Sequence, residues 1–321
     1  MKKINSEILI TDFKQKSSLY ESCEINLRGL VEQILMLAKQ DVHTISSRTK
    51  SIEALEKKIY RKDKYESLSQ ITDLIGVRII CYFENEIDII ADIIAKEFVI
   101  DKANSIDKRI TENDRFGYKS LHYVAEFSPD RLKLTEYKSF SGLKFEIQIR
   151  SILQHSWAEI EHDIGYKSEF DIPDIAKRTF SRIAALLETA DIEFVRLKSL
   201  LKNYEEETKN RLDIKLDGVT FKGYLNSSKI LESQLKHLSK IFEWTGEPRF
   251  SIQPENTPII KRLKEFNINT IRELDDLLTQ NNEGLIELFD STFKNKRVTG
   301  VNKALPVTQL LHYLDSENNS G

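Results

Sequence analysis

Cysteine is nearly absent from this chain: Cys23 and Cys81 are the only two in 321 residues, Cys23 in step with the apolar stripe of Leu19, Leu27 and Leu30 and Cys81 within the run IICYF. That excludes a disulfide framework and reads as reduced core thiols of a cytosolic protein. Long apolar runs are also missing. Nothing approaches the roughly 20 residues that cross a bilayer, and the start MKKINSEILITDF lacks the apolar block of a secretory signal, so a cytoplasmic protein without a membrane partner is expected. Neither sign of charge dominates: 48 Lys and Arg against 51 Asp and Glu leave −3. This argues against nucleic-acid binding through overall charge, but not against a local basic site. Two phosphate-binding signatures are lacking as well, the G-x-x-x-x-G-K-[ST] loop and the kinase Gly-rich loop.

What is present is concentrated in FEIQIRSILQHSWAEIEHDIGYK, from Phe145 to Lys167. Phe145, Ile147 and Ile149 alternate with Glu146, Gln148 and Arg150, the pattern of a strand with one apolar and one polar face. From Ser151 the period becomes helical, with Ile152, His155, Glu159 and His162 in step. Upstream, residues 17–42 show a helical stripe, and a basic stretch from Ser46 to Lys64 turns helical at about Ile52. Arg48 and Lys50 precede that helix, where side chains and free N–H groups can converge on a polyphosphate. Leu74 to Phe83 is β-rich and contains Arg78, which needs an anionic partner; Glu86 to Phe98 is an amphipathic helix. Arg115 to Phe127 reads as a second patterned strand, with Tyr118, Ser120 and His122 on one face.

A long helical tract runs from Pro173 to roughly Leu212, with Phe180, Ile183, Leu186, Leu187, Ala190, Phe194, Leu197 and Leu201 as its apolar stripe. The charged cluster Tyr204–Arg211 suggests a boundary, giving domains 1–210 and 211–321. Beyond it, a strand or turn is expected at Gly218 to Tyr224, and helices at 227–242, 259–266, 270–280 and 283–294.

Placed in one sheet, the patterned strands bring their polar residues to a common cleft. Asp73 and Glu146 offer two carboxylates for Mg²⁺, which prefers oxygen ligands and usually arrives with nucleotide phosphates. Arg48, Lys50, Lys57, Lys58, Arg78 and Arg150 offer cations for a triphosphate, and Tyr118 and His122 offer stacking and hydrogen bonds. Phosphoryl-type transfer draws most of its catalysis from such positioning and charge neutralisation. A metal site of His155, Glu159 and His162 is the weaker reading, because helix-to-sheet hydrogen bonding accounts for the same spacing.

The combination DLIGVRIICYF, FGYKSLH and EIQIRSILQHSWAEIEHDIGYK, in that order, closely resembles the synthetase domain of the RelA/SpoT family, from about 20 to 205. The resemblance implies an α/β (α+β) fold, a nucleotidyltransferase-like mixed sheet flanked by helices, here followed by a mostly helical C-terminal domain. It implies a GTP pyrophosphokinase of the stringent response, moving the β,γ-pyrophosphate of ATP to the 3′-hydroxyl of GDP or GTP and making (p)ppGpp. Carried over by position, Asp73 is the catalytic Mg²⁺ ligand and Glu146 the second catalytic carboxylate, ligating Mg²⁺ or taking the 3′-hydroxyl proton. Arg48, Lys50, Lys57 or Lys58, and Arg78 hold ATP. Arg115, Tyr118, Ser120, His122, Gln148, Arg150 and His155 lie on the acceptor side, with Tyr118 stacking on guanine.

Departures from the family pattern keep a second acceptor open. Asp114 stands where members commonly carry a lysine for the acceptor 5′-phosphates, Ala54 where many have a serine of the ATP segment, and Glu56 or Lys57 where an arginine stacks on adenine. Toxins of the same fold place pyrophosphate on the 3′ end of tRNA; in that alternative the C-terminal domain restrains the enzyme, as antitoxin or regulatory module. A catalytically inactive nucleotide sensor is the reading from another class, which the paired carboxylates oppose. No room for the family's hydrolase domain is expected before the ATP segment, so outside control is expected; a homo-oligomer and a regulatory or antitoxin partner are the partner expectations.

Overall fold

The computed structural model describes residues 2–62, 64–107, 120–166, 174–208, 211–252 and 256–318. The chain divides into two compact units, Met1–Arg196 and Leu197–Gly321. Unit 1 opens with helices α1 (Lys2–Gln15) and α2 (Ser17–Leu37), then β1 (Thr44–Thr49), α3 (Ile52–Lys62) and β2 (Ile75–Cys81). Helix α4 (Glu86–Glu97) follows, then β3 (Phe98–Ile100), β4 (Ile106–Asp107), β5 (Leu121–Phe127), β6 (Phe145–Ser151) and α5 (Ile152–Tyr166). Helix α6 (Asp174–Thr208) begins in this unit and ends in the next.

The strands form one mixed sheet in the order β1-β2-β6-β5-β3, with β4 also on β5. Only β2 and β6 run parallel; β1 on β2 and β5 on β6 are antiparallel. The alternation read in the sequence is the alternation of burial. Ile75, Val77 and Ile79 on β2 and Phe145, Ile147 and Ile149 on β6 are buried, while Gly76, Arg78, Glu146 and Gln148 face the other way. Against the apolar face pack Leu27, Val31 and Leu35 of α2 and Ile87, Ile90 and Ile94 of α4. Phe145 closes one end of this core in an aromatic group, 5.0 Å from Phe127 and 5.6 Å from Phe98. Burying such a ring stabilises by about 1.5–3 kcal/mol, so the strand that carries Glu146 is firmly anchored.

Strand β1 is a feature the sequence reading passed over: Arg48 lies on a strand, not in a pre-helical loop. The residues HTISSRT carry only one aliphatic, so the pattern reads as polar, yet Thr and Ile favour extended backbone and the strand completes the ladder with β2. On α6, Ile183, Leu186 and Phe194 of the apolar stripe are exposed.

Unit 2 contains α7 (Gly218–Ser227), α8 (Lys229–Ile241), β7 (Glu243–Trp244), β8 (Phe250–Ser251), α9 (Thr257–Glu265) and α10 (Ile271–Gln280). Helix α11 (Asn282–Phe293), β9 (Arg297–Val298), β10 (Val301–Asn302) and α12 (Leu305–Asn318) complete it. Its core includes the fully buried Phe221, Leu238, Leu274, Leu285, Phe289 and Leu310. The strand or turn expected at Gly218–Tyr224 is instead helix α7. Asp217 caps it, Oδ1 accepting from the N–H groups of Val219 and Thr220 at 2.9 Å each, while Thr220 Oγ1 accepts from the Asp217 N–H. This capping box closes with threonine in place of the usual Glu or Gln, which hid it in the sequence. Among the described residues no helix is long and apolar enough to cross a membrane.

Candidate active site

The register of the sheet assembles the site. Gly76 stands opposite Arg48 on one side and Glu146 on the other; Arg78 stands between Ser46 and Gln148. On the next strand His122 is opposite Gln148 and Val124 opposite Glu146. Side chains two apart on a strand share a face, so Ser46, Arg48, Arg78, Glu146, Gln148 and His122 share the polar one. Arg48, Asp73, Gly76, Arg78, Glu146 and Gln148 line a single cleft there.

Asp73 sits just before β2, held between two lysines. Lys58 Nζ is 2.7 Å from Oδ1 and Lys50 Nζ is 3.1 Å from Oδ2. Lys50 is pinned beside it because its own N–H donates to the Leu74 carbonyl at 2.8 Å. Burial alone would raise the Asp73 carboxyl, but the two ammonium groups outweigh it and hold the group below the usual aspartate range. Oδ1 is buried and engaged by Lys58. A carboxylate oxygen has two lone pairs, so Oδ1 keeps one for a further cation.

Glu146 is held from the neighbouring strand, its Oε1 accepting from His122 Nδ1. Burial and the Asp73 charge both work to raise the Glu146 carboxyl; the His122 contact prevails and lowers it. Both carboxylates are therefore held below their ordinary values and are ionised at neutral pH. Beyond them, Arg150 is buried, its Nη2 donating to Gln148 Oε1 at 2.7 Å, so the guanidinium orients the amide. Burial, with the Arg78 charge beside it, pushes Arg150 down to about 9, still charged at neutral pH.

Arg78 finds its anionic partner on α5: Nη1 donates to Glu159 Oε1 at 2.8 Å. This is helix-to-sheet bonding, and among the described residues no cluster of three or more His, Cys, Asp and Glu is placed to hold a metal. His155, one helical turn from Glu159, is lowered by burial and by Arg78. Of the two candidate lysines on α3, Lys58 reaches Asp73 whereas Lys57 is exposed and lies outside the cleft lining. Ser120 is fully buried beside β5. Tyr118, Arg115 and Asp114 lie outside the described residues. Ser46 and Ser47 line the cleft and were not singled out in the sequence, because the β1 strand that presents them was not recognised.

A sequence profile described as a region found in RelA / SpoT proteins matches residues 47–171. The GTP pyrophosphokinase YwaC of Bacillus subtilis (strain 168) is 34% identical over 135 residues, 41% of this chain and 61% of that protein. GTP pyrophosphokinase YjbM of the same strain is 27% identical over 190 residues, 56% of this chain and 82% of that protein. The crystal structure of small alarmone synthetase 1 from Bacillus subtilis aligns with a TM-score of 0.51 at 23% identity, over 60% of this chain and 99% of that one. Asp73, Arg78, Glu146, Gln148 and His122 all fall inside the matched span. Residues 47–171 are thus similar to a region found in RelA/SpoT proteins, and the fold is similar to that of a small alarmone synthetase.

Proposed function

We propose that unit 1 is an ATP-dependent pyrophosphokinase that moves the β,γ-pyrophosphate of ATP to the 3′-hydroxyl of GDP or GTP; two relatives are named GTP pyrophosphokinases. The observation that carries this reading is the convergence of Asp73 and Glu146 with Arg48 and Arg78 in one cleft. In the reaction the 3′-oxygen bonds to the β-phosphorus, the bridging bond to the α-phosphate breaks, and AMP leaves. Glu146, ionised and oriented by His122, accepts the 3′-hydroxyl proton. Arg48, Lys50, Lys58 and Arg78 neutralise the ATP phosphates; for the lysines this means exchanging Asp73 for phosphate oxygen.

The carboxylate pair and the buried Asp73 Oδ1 suit Mg²⁺, which is commonly held by one or two carboxylates together with substrate phosphates. Bound there, it would offset charge on the transferred group. Gln148, Arg150 and His155 form the acceptor side in this reading, joined by Arg115, Tyr118, Ser120 and His122. The exposed α6 residues Ile183, Leu186 and Phe194 support a homo-oligomer.

Glu146→Gln tests the mechanism. The amide keeps the shape and removes the base, so transfer should fall at least about 10²-fold while nucleotide affinity changes little. Transfer at the unsubstituted rate would remove Glu146 from the chemistry.

A further inference from the structure

Unit 2 contains a cavity of about 740 Å³ between α7, the start of α8 and α10, bounded also by Thr208 and Leu212. Ligand cavities usually measure about 300–1,000 Å³, so this one accepts a mononucleotide-sized molecule. No residue of the matched span 47–171 lines it. Its lining is divided by chemistry. Leu212, Ile230 and Ile271 supply apolar surface, Ser227, Ser233 and Thr279 supply hydroxyls, and Arg211 and Lys229 supply positive charge.

One carboxylate enters it, that of Asp275. The Tyr224 hydroxyl donates to its Oδ1 at 2.7 Å, with Ser228 Oγ at 3.5 Å from the same oxygen. The group is thereby fixed in orientation, and neither contact uses Oδ2. A fixed carboxylate against apolar walls selects a ligand with adjacent N–H donors, and two nearby cations select an anionic end. Guanine meets the first demand with its N1–H and 2-amino groups side by side; adenine turns an N1 lone pair toward the same place. Ribose hydroxyls suit the serines and threonine, and phosphate suits Arg211 and Lys229. A free amino acid has the right charges but leaves most of the volume unfilled.

We propose that unit 2 binds a guanine nucleotide in this cavity, at a site of its own apart from the cleft of unit 1. The inference does not depend on the transfer reaction. The full-length chain is titrated with a fluorescent GDP analogue and the bound equivalents are counted, for the wild type and for Gly223→Leu and Asp275→Asn. A Cβ at Gly223 meets nothing within 4 Å, so a side chain there can start from the cavity wall, and leucine also favours the helix. Gly223→Leu should bind one equivalent fewer than the wild type. At the same site Asp275→Asn should bind GDP about tenfold more weakly, and the wild type should prefer GDP to ADP by about tenfold or more. An unchanged number of equivalents in Gly223→Leu, or equal affinity for ADP and GDP at this site, would overturn the proposal. Should unit 1 bind no GDP, the wild type would start one equivalent lower, yet the loss on Gly223→Leu would remain, so the two failures are separable.

Discussion

Breaking the His122–Glu146 contact should weaken unit 1 by more than the loss of a surface ion pair. The two side chains keep only 13% and 19% of their surface, so solvent screens the contact little. A hydrogen bond to an ionised partner nets about 1.5–3 kcal/mol, whereas exposed pairs commonly give about 0.2–1 kcal/mol. A double-mutant cycle with His122→Ala and Glu146→Ala, read by urea unfolding of the full chain at pH 7, should therefore give a coupling of about 1.5–3 kcal/mol. Its pH dependence has a definite sign. Burial raises the Glu146 carboxyl, but His122 outweighs it and the folded value lies below the unfolded one. The contribution is thus full above the ordinary glutamate range and is lost as pH falls through the depressed folded value. A coupling under about 0.5 kcal/mol at pH 7, or one that persists after pH has fallen through the depressed Glu146 value, would refute the assignment of His122 as the group that keeps Glu146 ionised.

Ser151→Ala should destabilise unit 1 by about 1.5–3 kcal/mol, because the buried hydroxyl donates to Asp191 Oδ2 at 2.6 Å and its loss takes a partner from a buried carboxylate; thermal unfolding measures it, and an unchanged midpoint would contradict the pairing. Lys144 holds the Asp101 carboxyl down to about 2, first through a hydrogen bond at 2.6 Å. That pair stabilises fully above the ordinary aspartate range and is lost toward pH 2, so Lys144→Met should flatten this part of an acid-unfolding profile; a profile identical to the wild type would remove the pair from the account.

The central strand was legible in the sequence because Phe145, Ile147 and Ile149 alternate strictly with Glu146, Gln148 and Arg150, and a sheet with one buried face imposes that pattern. The segment Ile75–Cys81 was legible from its β-rich composition, and the partner that Arg78 required is Glu159. What was illegible has local causes. Strand β1 is polar on one face and only half-buried on the other, so it leaves no hydrophobic period to read. Lys57 and Lys58 are equivalent in composition; the phase of α3, set by the buried Leu55 and Ile59, sends Lys58 toward Asp73 and leaves Lys57 exposed. Helix α7 begins with Gly218 and is fixed by a cap whose second member is threonine. The cavity of unit 2 joins Arg211, Tyr224 and Asp275, which sequence distance separates and only the packing of α7, α8 and α10 brings together.

Transfer of label from γ-³²P-ATP in the presence of Mg²⁺, with GDP, GTP and bulk tRNA offered in parallel, tests the proposed activity most directly. The account predicts labelled GDP or GTP, released AMP, and loss of both in Glu146→Gln. Label on tRNA alone would contradict the proposed acceptor, and no label on any of the three would contradict the reading of the Asp73 and Glu146 cleft as a pyrophosphokinase site.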